Sequence, residues 1–92
     1  MDAQAFTEAL GREGYDEVFT KTALVTQVLG THSHPFAVKA LVTEGQLTLG
    51  IGGALTVYRP GDVFTLPLEC EHTEEVGPAG VTYVVGRKNA KG

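Results

Sequence analysis

With 92 residues, a net charge of −4 and no basic stripe, the sequence argues against a general nucleic-acid binder, which needs clustered cations to neutralise phosphates. Hydrophobic residues make up 42% and charged residues 20%, which excludes a disordered or fibrous chain and is typical of one small globular domain. Cys70 is the only cysteine, and no segment has the pattern of a signal peptide or a membrane span, so we expect a cytoplasmic protein with no disulfide and no membrane partner.

The N-terminal segment, residues 1–13, predicts the only helix. Apolar residues recur there at helical spacing over residues 2–11. Asp2 can cap the start of the helix, and Gly11 or Gly14 can end it.

Everything after Gly14 predicts β-strands. Runs rich in β-branched and aromatic residues, such as FAVKALV and VTYVVG, alternate with glycine- and proline-rich turns. The predicted turns are Glu44-Gly45, Gly52-Gly53, Arg59-Pro60-Gly61-Asp62 and Gly77-Pro78-Ala79-Gly80. This spacing favours an all-β domain over residues 14–88, an antiparallel barrel or double sheet, followed by a tail at residues 89–92.

All three histidines fall where one metal site could use them. His32 and His34 form a His-x-His pair on a predicted strand, where alternate residues point to the same face. His72 lies near the start of a later strand. Three imidazoles can bind one divalent transition metal, Fe, Zn, Ni, Mn or Cu, and leave positions open for water or substrate.

The stretch HSHPFAVKALVTEG followed by PGDVFTLPLECEH resembles the two motifs of the cupin superfamily, whose members are small jelly rolls that commonly hold a metal. His32 and His34 match the metal-binding pair of the first motif, and His72 matches the third metal-binding histidine in the second. Gly45, Gly61 and Pro67 match two turn glycines and the proline of these motifs. The resemblance covers roughly residues 14–87 and implies a double-stranded β-helix, or jelly-roll barrel, with one short N-terminal helix.

Some positions depart from the cupin pattern. Val38 stands where the family often supplies a Glu or Gln ligand, and allowing one extra residue gives Lys39, which is no ligand when protonated. Glu69 replaces a glycine two residues past Pro67. The resemblance therefore implies a three-histidine site, as in the three-histidine oxygenases of this superfamily. The candidates for the barrel lining are Phe36, Val38, Val42, Leu49, Tyr58, Phe64, Leu66 and Tyr83.

Glu74 is the best candidate for a catalytic acid or base. On a strand that continues past His72 it shares that residue's face and could act as a ligand, a general base or an acceptor for an imidazole N–H. The simpler expectation is that Glu74 is solvated, since it adjoins Glu75 and one of the two must point outward.

Other polar residues have simpler interpretations as well. Lys39 could enter the barrel as a base, but strict alternation from His34 favours the outer face. Cys70 could approach the metal, although such a thiol is more often a small loop or core residue. A solvated end is the expectation for the only basic grouping, Arg87, Lys88 and Lys91.

Two functions fit these features. One is a metal-dependent enzyme, dioxygenase-like, an isomerase or a lyase, that acts on a small polar molecule. The other is a non-catalytic module that binds or senses a small molecule, and a metal-free scaffold is a third. A homodimer is expected, because a barrel this small has exposed sheet edges and little apolar surface to bury.

Overall fold

The computed structural model describes residues 2–23 and 28–89, and for residues 28–32 it describes the backbone alone. Within these ranges one helix, α1 (Ala3–Arg12), precedes six strands, so the predicted all-β class with a short N-terminal helix is confirmed. The strands are β1 (Glu17–Ala23), β2 (Val28–His32), β3 (Phe36–Ile51), β4 (Ala54–Tyr58), β5 (Val63–Leu66) and β6 (His72–Asn89).

Helix α1 begins and ends as its residues predict. The Asp2 carboxylate accepts a hydrogen bond from the Ala5 amide at 2.7 Å, and Gly14 leaves the helix with a φ of +85°. The buried face of α1 packs on the outer side of the sheet in a cluster of Phe6, Leu10, Leu41 and Val84. At ten residues α1 is too short to cross a bilayer. Among the described residues there is no helix that is long and apolar enough to do so.

Strands β3 and β6 pair antiparallel along nearly their whole length, from Phe36 opposite Asn89 to Gly50 opposite Thr73. At one end of this ladder β1 joins β6 and β5 joins β3, and at the other end β2 joins β6 and β4 joins β3. In the described part of the chain, each half of the ladder is therefore a four-stranded sheet. The two long strands belong to both sheets, as in a jelly roll.

The middle of the β3–β6 ladder corrects two turn predictions. Glu44-Gly45 and Gly77–Gly80 interrupt the register but do not end the strands, because pairing resumes on both sides of them. Gly45 and Gly80 both have positive φ, +73° and +77°, and a Cβ added to Gly45 would overlap the Gly80 carbonyl oxygen. These residues form bulges that bend both long strands at the same place.

The other two turns are confirmed. Gly52 and Gly53, both with positive φ, connect β3 to β4 as a two-residue hairpin loop. Asp62 closes the turn that starts at Arg59: its amide donates to the Arg59 carbonyl at 2.9 Å, and its carboxylate accepts from the Arg59 amide at 2.8 Å.

The core lies between the two sheets. Its buried residues are Val38, Ala40, Val42, Leu47, Leu49, Phe64, Leu66, Val76, Val81, Tyr83 and Val85, with Phe19, Ala23, Phe36 and Tyr58 packed against them. All eight residues predicted to line the barrel are in this set.

We expect Gly45→Ala to lower the free energy of unfolding by about 2–4 kcal/mol, because the new methyl group meets the Gly80 carbonyl and φ stays positive. Gly52→Ala is the matched control: its φ is +58° and its surroundings are open, so only the backbone cost of about 1 kcal/mol applies. Urea denaturation measures both variants. Equal losses would show that the contact between the bulges is unimportant.

Candidate metal centre

The structure places the histidine pair differently from the sequence prediction. Strand β2 ends at His32 and β3 begins at Phe36, so His34 lies in the connecting segment and the prediction of one strand for both histidines is wrong. His32 pairs with His72 in the β2–β6 ladder. The His32 side chain lies outside the described part of the structure.

The His72 side chain is buried inside the barrel, with 1% of the residue exposed. Its Nδ1 lies 2.9 Å from the carbonyl oxygen of Cys70. A carbonyl oxygen only accepts hydrogen bonds, so Nδ1 carries the hydrogen. In a neutral imidazole the Nε2 atom then carries the lone pair.

That Nε2 atom faces a carboxylate: Glu74 Oε2 lies 3.2 Å away. A lone pair and a carboxylate oxygen repel each other at this distance unless a proton or a metal ion lies between them. Two ligand atoms, each about 2.1 Å from one metal ion, are themselves about 3.0 Å apart in octahedral geometry and about 3.4 Å apart in tetrahedral geometry. The separation therefore fits two donors to one ion.

The His34 ring lies beside this pair. Its centroid is 5.2 Å from that of His72, and it stacks on Phe36 at 4.8 Å with an angle of 9° between the rings. Potential ligand atoms of His34, His72 and Glu74 all lie within 4.8 Å of one another. The structure thus brings together two of the three predicted histidines and the predicted carboxylate.

Glu74 is not solvated, so the simpler expectation for it is wrong. Strand β6 runs through His72 and Glu74 without a break, which puts both side chains on the inner face. The Glu74 side chain is only 15% exposed and faces the barrel interior. Glu75, its neighbour, is exposed.

A cavity of about 100 Å³ adjoins these residues. His34 and Glu74 line it together with apolar side chains that include Val38 and Leu66. Val38, which stands at the position of the usual fourth ligand, makes that wall of the cavity dry. The carboxylate that lies beside His34 and His72 is that of Glu74, on β6.

The predictions for Lys39 and Cys70 can also be compared with the structure. Lys39 forms an ion pair with Glu13, at 2.9 Å between Nζ and Oε1, which confirms its place on the outer face. Cys70 meets His72 through its backbone carbonyl, while its thiol lies 3.7 Å from the Glu71 carbonyl oxygen.

The loop that precedes β6 is tied to the segment that carries His34. The Glu69 amide donates to the His34 carbonyl at 2.9 Å, and Cys70 closes a turn onto Pro67. Glu69 has a φ of +56°, which explains why glycine is usual at this position of the motif. Sequence comparison with the motif singled out Glu69, but only the backbone shows its link to His34.

Tyr83 lines the same cavity from β6. Its burial, and to a lesser extent the negative charge of Glu74, raise the pKa of the phenol from 10.0 to about 12, and Arg87 opposes this shift. The hydroxyl group therefore keeps its proton at ordinary pH and can donate a hydrogen bond into the cavity.

The raised pKa of Tyr83 predicts a loss of stability in alkali. Because the folded state holds the phenol proton more tightly, this contribution is complete below pH 10 and is lost as the pH rises through 12. We expect the free energy of unfolding to fall by about 2 kcal/mol more in the wild type than in Tyr83→Phe over this range. Urea titrations at each pH measure the difference, and parallel pH profiles would contradict the assignment.

No protein-family model and no curated protein matches the sequence, but its fold matches solved structures. A protein of unknown function from Rhizobium leguminosarum bv. viciae 3841 superposes with a TM-score of 0.74 at 18% identity, over 79% of this chain and 69% of that one. An RmlC-like cupin from Shewanella frigidimarina superposes with a TM-score of 0.70 at 20% identity, over 85% of this chain and 69% of that one.

The DMSP lyase DddQ from Ruegeria pomeroyi is similar in the same way, with a TM-score of 0.69 at 15% identity. The matched region covers 78% of this chain but only 37% of the lyase, so this chain spans a minor part of that protein. At these identities the likeness establishes the architecture. The chain has the cupin fold, the double-stranded β-helix that its two motifs predict.

Proposed function

We propose that this protein binds one divalent transition metal at His32, His34, His72 and Glu74, and that the metal binds or acts on a small polar molecule in the adjoining cavity. The observation that carries the proposal is the cluster of His34, His72 and Glu74, in which His72 Nε2 lies 3.2 Å from Glu74 Oε2 inside the barrel. A metal ion between these two atoms would be bound by both.

The surroundings of His72 support this assignment. Metal-binding histidines commonly donate their second ring N–H to a carbonyl or a carboxylate, which fixes the tautomer and the ring orientation. His72 does so through Nδ1 to Cys70. His32 is included because its backbone pairs with that of His72 in the β2–β6 ladder.

The donor set is one that a catalytic metal uses. Imidazole nitrogens with one carboxylate accept Fe, Zn, Ni, Mn or Cu, and cellular supply decides among them. Such an ion polarises a carbonyl group or lowers the pKa of a bound water. Tyr83 adds a protonated hydroxyl group at the cavity wall, where it can orient a bound molecule.

Catalysis at this centre stays a prediction. The DMSP lyases among the similar structures share the architecture alone, and one fold hosts many reactions as well as pure binding modules. Oxygen consumption by the Fe(II) form with a thiol, diketone or phenolic compound distinguishes a dioxygenase-like enzyme from a binder, which takes Zn or Ni equally well.

Metal content tests the proposed site. We expect wild-type protein incubated with Zn²⁺ and desalted to retain one equivalent, measured by elemental analysis. His72→Ala and Glu74→Gln should each weaken zinc binding at least tenfold, because each removes one donor atom. Glu75→Gln is the matched control: it removes the same charge from the adjacent, exposed residue and should leave zinc binding unchanged.

Two results would contradict the proposal. Substoichiometric metal in the wild type after incubation with Zn, Ni and Fe(II) would indicate the metal-free scaffold. Equal zinc affinity of Glu74→Gln and Glu75→Gln would remove Glu74 from the ligand set and leave it as an acid or base.

A homodimer in the cytoplasm, without nucleic-acid partners, is likewise a prediction. Light scattering at micromolar concentration should give twice the 9.7 kDa mass of the chain. A monomeric mass would contradict it.

A further inference from the structure

Arg87 is an inward-facing cation at the end of β6. Side chains alternate along this strand, so Tyr83, Val85 and Arg87 face the barrel interior, while Lys88 faces the helix side. Lys88 confirms this by lying over the Tyr15 ring, 4.8 Å from its centre. The expectation of a solvated basic end is therefore wrong for Arg87.

Two aromatic rings hold the Arg87 guanidinium group. Its central carbon lies 4.9 Å from the centre of the Phe19 ring and 4.5 Å from that of Phe36. Rings stack on the face of a guanidinium group and leave the N–H groups at its edge available. These contacts position the cation but use none of its five hydrogen-bond donors.

The described part of the protein supplies no acceptor for those donors. Neither an ion pair nor a side-chain hydrogen bond to Arg87 is formed there. Glu17 lies directly opposite Arg87 in the β1–β6 ladder, yet the two form no ion pair. The planar donor edge of Arg87 is thus available to a bound molecule.

Arg87 lines the same cavity as the candidate metal centre. Phe36 connects them, since one ring contacts both the guanidinium group and the His34 imidazole. Lys21, a second cation, also lines this cavity from β1. Two positive side chains line this cavity against the single carboxylate of Glu74, in a protein of net charge −4, so the part of the cavity beside Arg87 favours an anionic group.

We propose that the ligand of this cavity is a small carboxylic acid whose carboxylate is bound by Arg87 while a second polar group binds the metal. This inference rests on the proposed function. A guanidinium group and a carboxylate match in shape, because two parallel N–H groups bind two oxygens. Arg87 is thus a specificity-determining residue of the site.

The size of the cavity limits this acid. A cavity of 150 Å³ holds benzene, so about 100 Å³ admits roughly four non-hydrogen atoms, with any further atoms extending into solvent. Short acids with a neighbouring hydroxyl or keto group come near this limit, whereas an intact sugar does not fit inside.

Hydroxamates test the two halves of the site separately. Acetohydroxamate binds the metal but carries no carboxylate, while the monohydroxamates of malonate and succinate add one at two distances. Calorimetry on the zinc-loaded protein at 0.15 M ionic strength should show that the better of the two carboxylated probes binds at least about tenfold more tightly than acetohydroxamate.

Arg87→Gln should abolish this tenfold advantage and leave acetohydroxamate binding and zinc content unchanged. Lys88→Gln is the matched control, since it removes the same charge from the adjacent residue on the other face and should keep the advantage. Arg87→Lys should retain only part of it, because a point charge replaces the planar donor edge. Circular dichroism confirms that each variant is folded.

Each outcome decides one claim. If zinc fails to bind the wild type, the proposed metal site is wrong; if zinc binds but acetohydroxamate does not, the metal has no open position for a ligand. In either case malonate titrated into EDTA-treated wild type, Arg87→Gln and Lys88→Gln then tests Arg87 alone. If the probes bind but the carboxylate gives no advantage, or if the advantage survives in Arg87→Gln, the role of Arg87 is wrong and the metal site stands.

Discussion

The antiparallel pairing of β3 with β6 is the constraint on which the rest of the molecule depends. Every other strand attaches to one of these two, and both strands bend at the contact between Gly45 and Gly80. The bend lays one half of the ladder over the other, so Glu74 and Arg87, near opposite ends of β6, come to line a single cavity. The site is therefore a consequence of the sheet geometry, and no long loop is needed to build it.

Within that cavity the chemistry is divided between two regions. On one side a buried imidazole, whose Nδ1 donates to a backbone carbonyl, faces a largely buried carboxylate across a gap that a proton or a metal ion can fill. On another side the barrel presents Arg87, which is held by aromatic rings and forms no ion pair within the described residues. Apolar residues such as Val38 surround both regions, and the lower local polarity strengthens each electrostatic interaction with a bound molecule.

Residues whose environment follows from strand alternation could be predicted from the sequence. The barrel lining and the shared face of His72 and Glu74 both follow from a period of two. The predictions that were wrong concern residues whose structure is set by partners distant in the sequence. The Glu44-Gly45 pair is typical of a turn, and only the matching bulge in β6 keeps β3 continuous through Gly45. Arg87 resembled a solvated tail because the rings that hold it, Phe19 and Phe36, come from β1 and β3.

The hydrogen bond from the Glu69 amide to the His34 carbonyl joins the two segments that carry His34 and His72. This bond, like the one from His72 to Cys70, is made by the polypeptide alone. The entropic cost of bringing these two rings together is therefore incurred during folding. The binding of an ion would not have to offset it again. If the proposed metal site is right, such a preorganised pocket would accept one metal or another while keeping its shape, and the occupant would reflect the metals that the cell makes available.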